Sequence, residues 1–292
     1  MKRLIPFLFI FIISPIQVNA ACSGSDCCTV SSNVVTLDSG SSCALTPDSY
    51  GITVYEKYLC TAAPTAPTTT SAVDLSNCVQ TFASTNGSTV RITEETSATF
   101  TDGTFTRPAN GVYTHGVILI KNAFLIKLSI QLDTTWDGNS SGQGLFCATV
   151  AGSAYESASN QMVCDTSAVT AGELDAGLSS FGSDGLGNPE FSATASNLNN
   201  TGASISGYLL NTSDYVATST AEAIAKERLL GINTFATPVV VTEETAGFDM
   251  AFGINQGATI WSEGDNSIPS NGIEDIGAGS GPFQVIITPT NF

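Results

Sequence analysis

Histidine is almost missing from this chain: His115 stands alone in 292 residues. A zinc site built on imidazoles therefore lacks its second ligand, and a base of the triad kind lacks its placed partner. His115 lies between Tyr113 and Val117 in a strand-like run, which suits a packing role. Basic residues are scarce too. Nine Lys and Arg stand against 26 Asp and Glu, a net charge of −17. A surface so acidic repels phosphate backbones and anionic headgroups, which excludes nucleic acid and bilayer surfaces as partners. The acids are scattered, so their plain use is solubility; the sharper use is life in saline surroundings, where salt screens their repulsion. Long apolar runs are also lacking. The run from Leu4 to Pro15 is shorter than the ~20 residues of a membrane helix, and no later run is long enough.

That run is instead the centre of a signal peptide. Lys2 and Arg3 precede it and Val18-Asn19-Ala20 follow, so cleavage is expected between Ala20 and Ala21, with no membrane insertion afterwards. A pilin would carry an acid near its mature start, and residues 1–20 have none. Asn19 spoils a lipobox, and lipidation of Cys22 would leave an odd number of thiols. An outer-membrane barrel ending at Phe292 is excluded by Pro289 and by polar Thr290, Thr288 and Gln284. Eight cysteines follow the signal: Cys22, Cys27, Cys28, Cys43, Cys60, Cys78, Cys147 and Cys164. Their even number behind an export signal predicts disulfides, an oxidising compartment and a secreted or cell-surface protein. Locality suggests Cys60–Cys78 and Cys147–Cys164, with Cys22, Cys27, Cys28 and Cys43 pairing among themselves. A Cys60–Cys78 bridge would close the Pro/Thr stretch 61–70 into a staple worth ~3 kcal/mol.

Strand signals dominate the rest. Short apolar runs alternate with Gly, Asn, Asp and Ser, which predicts a mainly β sandwich. The strongest run is Val112 to Leu132. It reads as two central strands in a hairpin, with Lys121-Asn122 at the tip. Asn110-Gly111-Val112-Tyr113 has the form of a tyrosine corner. One short helix is expected near residues 220–230. Ser219-Thr220-Ala221-Glu222 forms its capping box, and Gly231 its stop. A second helix is expected over 173–181. Thr81-Phe82-Ala83-Ser84 and Val90 to Thr96 match Thr234-Phe235-Ala236-Thr237 and Val239 to Thr245, the mark of an internal repeat. The organisation expected is a signal at 1–20, a cysteine-rich segment at 21–48, and a sandwich unit at 49–190. Residues 191–292 are then a second related unit or a continuation of the first.

Tyr58-Leu59-Cys60-Thr61-Ala62-Ala63-Pro64-Thr65-Ala66-Pro67, with Asp74-Leu75-Ser76-Asn77-Cys78, resembles a signature of secreted, disulfide-containing, β-rich proteins of marine bacteria. Tyr113-Thr114-His115-Gly116 and Phe146-Cys147-Ala148-Thr149 are similar to further segments of that family. The resemblance spans residues 50–292. It implies no catalytic residue, because the family has no assigned activity.

The chemical candidates are few. Gly138-Asn139-Ser140-Ser141-Gly142 matches a nucleophile elbow in letters, but strand-like Leu145-Phe146-Cys147 follows where a helix is needed. Glu94-Glu95 and Glu243-Glu244 are paired acids, but neighbours on a strand point to opposite faces. Ca²⁺ is the most credible ligand. Loops 133–139, 184–190 and 263–275 hold hard oxygen donors without EF-hand spacing. Trp136 and Trp261 lie near two of them, where a sugar could stack. The expected function is a non-catalytic structural or adhesive protein of the cell surface, or an extracellular assembly subunit. Its partners would be itself, other surface proteins or glycans. A carbohydrate- or Ca²⁺-binding module is the alternative, and a secreted hydrolase comes third.

Overall fold

β-Branched and aromatic residues in short runs, cut by Gly, Asn and Ser, favour strands over helices along most of this chain. A computed structural model describes residues 28–93, 100, 102–155, 160–198, 203–266, 270–281 and 284–291. The signal segment 1–20, Cys22, Cys27 and the Glu94-Glu95 pair lie outside the described residues. In chain order the first strands are β1 (Thr29–Ser31), β2 (Val34–Thr36), β3 (Ser42–Leu45), β4 (Ser49–Cys60), β5 (Cys78–Ile92), β6 (Thr104–Phe105) and β7 (Gly111–Lys121). Next come β8 (Phe124–Lys127), β9 (Ser129–Gly138), β10 (Gln143–Thr149), β11 (Gly152–Tyr155), β12 (Met162–Asp165) and β13 (Leu174–Gly177). Then follow β14 (Ser192–Leu198), β15 (Ala203–Leu210) and the helix α1 (Thr220–Lys226). The last are β16 (Arg228–Val241), β17 (Thr245–Gly253), β18 (Ala258–Gly264), β19 (Asp275–Ser280) and β20 (Gln284–Asn291).

These strands form a mainly β sandwich of two sheets, with β17 and β20 paired apart from them as a two-stranded ladder. An eight-stranded sheet runs β1-β2-β9-β19-β18-β3, with β10 and β12 attached beyond β9. A ten-stranded sheet runs β11-β13-β8-β4-β7-β16-β15-β14, with β5 and β6 on the other side of β4. The core lies between them, where Tyr50, Ile52 and Ile120 meet Leu132, Met162 and Ile260. The Tyr50 hydroxyl bonds Ser280 Oγ at 2.8 Å across the sandwich. Both sheets take strands from 49–190 and from 191–292, so the later span continues the earlier sheets. The repeated Thr-Phe-Ala segments lie on β5 and β16 of one sheet, on either side of the β4–β7 pair.

Three disulfides staple the described residues. Cys60–Cys78 joins directly opposed residues of β4 and β5, and Cys147–Cys164 does the same for β10 and β12. Cys28–Cys43 ties the start of β1 to β3, the two outer strands of the eight-stranded order. Such bonds fit folding in an oxidising compartment. No described helix is long and apolar enough to cross a membrane.

Three local expectations are corrected. β7 and β8 do not form a hairpin, because β4 pairs with both along one edge. Val54 faces Ile120 and Gly51 faces Leu125. Asn122 marks a break in one long strand. Its buried side chain bonds both backbone groups of Leu178, and its N–H donates to the Glu227 carbonyl. Residues 174–177 are a strand, because buried Leu174 and Ala176 alternate with Asp175 at period two. Gly231 lies inside β16, and α1 stops at Glu227 in the left-handed region (φ 50°). The cap itself forms: Ser219 Oγ accepts from Glu222 N–H, and the Glu222 carboxylate reaches back to Thr218. Tyr113 donates to the Ala109 carbonyl at 2.8 Å, a tyrosine corner.

Candidate functional site

Two of the three acidic loops come together. β9 and β19 pair in parallel, with Asp137 opposite Asp275. Asp137 accepts from Gln143 at 2.9 Å and from Asn271 at 2.6 Å. Asp265 accepts from the Gly272 N–H at 2.7 Å and from Ser270, which folds loop 263–275 back on itself. Burial raises the Asp275 carboxyl above its ordinary range. The Asn266 N–H opposes that shift, and the charges of Asp137 and Asp265 add to it. These carboxylates are close enough to repel one another. Yet among the described residues no three metal-ligating side chains converge on one point.

The third loop is turn chemistry. Asp184 accepts from the backbone of Leu186 and Asn188 and from the Asn188 amide, and these bonds hold its carboxyl below the usual range. Trp136 is 5% exposed and offers no stacking face. Trp261 is half-buried. Its ring lies over Gly277 and Gly279, where a Cβ would approach it to 2.7 and 3.1 Å. Its indole N–H donates to Glu263 at 3.0 Å. Glu243-Glu244 sits exposed in the turn between β16 and β17.

His115 faces Cys60 on β7. The Thr114 hydroxyl donates to the Thr61 carbonyl at 3.2 Å, so its oxygen is left to accept from His115 Nδ1 at 2.8 Å. This chain fastens the ring to the mouth of the Cys60–Cys78 loop. Burial lowers the imidazole's affinity for a proton. The Gly138-x-Ser140-x-Gly142 string is the β9–β10 turn, a strand-to-strand connection. Its glycines are steric: a Cβ on Gly142 would stand 2.2 Å from the Cys164 carbonyl oxygen, and φ there is +78°.

Sequence reading passed over two features. Lys57 on β4 is 6% exposed, and burial lowers its amine to about 8. The other is β14. Its residues Ser192-Ala193-Thr194-Ala195-Ser196 are all exposed, and the strand pairs with β15 alone among the described strands. The period-two alternation of hydroxyl and methyl side chains was its signal, but Ala and Ser are weak strand formers. Comparison of the chain with protein-family models, with curated proteins and with solved structures found no match.

Proposed function

We propose that this chain is an exported, non-catalytic structural protein of the cell surface that works as an assembly or adhesive subunit. The observation that carries this reading is β14. Among the described strands it stands at one end of the ten-stranded sheet, with five exposed, uncharged residues. Such an edge is a ready template for another strand. The three disulfides and the resemblance to secreted proteins of marine bacteria support the extracellular setting. Imaging of the labelled protein on its own cells tests the reading. Surface or filament decoration is expected; a freely soluble periplasmic pool would overturn it.

A Ca²⁺-binding module is the second reading, favoured by the pairing that sets Asp137 opposite Asp275, with the charge of Asp265 felt at Asp275. The discriminating measurement compares melting in Ca²⁺ and Mg²⁺ at equal ionic strength. Equal, small shifts are expected, since both ions screen the acidic surface. A Ca²⁺ shift several degrees larger, abolished by Asp275→Asn, would favour the module, because binding the native state alone raises stability by mass action.

A further inference from the structure

We infer that β14 pairs with β14 of a second copy of this chain, antiparallel, about a two-fold axis through Thr194. This deepens the assembly reading and rests on it. The edge reads the same in both directions, Ser-Ala-Thr-Ala-Ser. Antiparallel pairing centred on Thr194 therefore sets Ser192 opposite Ser196 of the second copy. Ala193 then faces Ala195, and Thr194 faces its own counterpart. Hydroxyl side chains line one side of the joint and methyl groups the other, as a self-complementary two-fold contact requires.

The backbone has the matching polarity. Leu209 N–H donates to the Phe191 carbonyl at 2.9 Å, so Phe191 turns its carbonyl toward β15. That facing alternates along an antiparallel ladder. Ala193 and Ala195 therefore bond inward, and Ser192, Thr194 and Ser196 hold N–H and C=O outward. These three are the residues that the axis sets against one another. The joint forms about six hydrogen bonds, two for each facing pair.

The five-residue edge from Ser192 to Ser196 is also unguarded along its length. Open edges commonly carry lysine, proline or a bulge that prevents pairing. Here the ladder with β15 keeps register through Ser196 and shifts only beyond it, and neither strand holds a charged residue. On a chain of net charge −17, this is a place where two copies approach with little repulsion. Two ten-stranded sheets would become one continuous sheet.

Sedimentation velocity of the full exported chain across a concentration series tests the joint, with Thr194→Lys as the variant. Thr194 is exposed, so the variant keeps its fold, while two like charges meet on the axis. The wild type is expected to dimerise, and Thr194→Lys to weaken association at least tenfold, with melting lowered only slightly by loss of the Thr194–Ser206 hydroxyl bond at 2.8 Å. Thr194→Cys is expected to give a covalent dimer with a short bis-maleimide, which alkylates both thiols. Ser192→Cys is not, because its two copies stand ~14 Å apart in this register. An oligomer unaffected by Thr194→Lys and not linked through Thr194→Cys would overturn this joint and leave assembly through another surface. A chain monomeric at every concentration yet found on the cell surface would also overturn it, and leave the surface reading standing. A β14 dimer found only in the periplasm would sink the surface reading instead.

Discussion

Lys57 carries a charge where the fold has little room for one. Its neighbours across the ladder are Phe82 and Ile118, and removal from water lowers its amine to about 8. Below pH 8 the amine is protonated in the folded and unfolded chain alike, and the fold bears the cost of burying that charge. Above pH 8 the fold releases a proton that the unfolded chain keeps until ~10.4, so stability rises with pH across that window. The rise is expected to reach ~3 kcal/mol if nothing opposes it. Tyr58 opposes it from the other side. Burial, then the Glu56 carboxylate, raises its hydroxyl to about 12. The unfolded phenol ionises near 10, so stability falls above that point. Urea unfolding between pH 7 and 10.5 should show a maximum near pH 10. Lys57→Met should remove the climb between pH 8 and 10. A variant that kept the full climb would disprove this assignment.

At the scale of elements, the β10–β12 pair shows how tightly strands approach. A Cβ added at Gly144 would stand 1.9 Å from the Asp165 carbonyl oxygen, which is backbone and cannot step aside. Gly144→Ala is expected to lose ~3 kcal/mol of unfolding free energy, as forced overpacking does. Gly185→Ala, with open space around it, should stay within ~0.5 kcal/mol of the parent. Local signals of this kind are what a sequence displays best. Ser219 and Glu222 cap α1, and the cysteines of two cross-strand bridges lie 18 and 17 residues apart, near enough for spacing to suggest the pairing. Non-local pairing is what it conceals. Nothing near Lys121-Asn122 reveals that β4, from 60 or more residues earlier, fills the place of a hairpin partner. Leu174-Asp175-Ala176 carries a strand pattern too short to outweigh helix-forming neighbours. The acidic loops at Asp137 and Asp265 were visible one by one, but their meeting depends on a parallel pairing between β9 and β19.

Across the whole molecule, charge is the largest imbalance. A net −17 in one sandwich sets acids against one another at distances that only salt can bridge. Raising NaCl from ~0.01 to ~0.15 M shortens the screening length from ~30 to ~8 Å. The melting temperature is expected to climb steadily over that range in scanning calorimetry. A flat response would mean that the acids are spaced too widely to repel.

The pairing of β3 with β18 has a further consequence. Residues 42–45 lie against residues 258–261, so an early strand waits for one of the latest. Loop closure over such a span is slow, and contact order this high delays folding. As the chain emerges β1 and β2 can pair with each other at once, but β3 stays uncommitted until the last quarter arrives, and during that interval its bare edges are open to wrong partners. A chain that begins to fold only once it is complete would spare β3 that wait, because β18 is then already at hand.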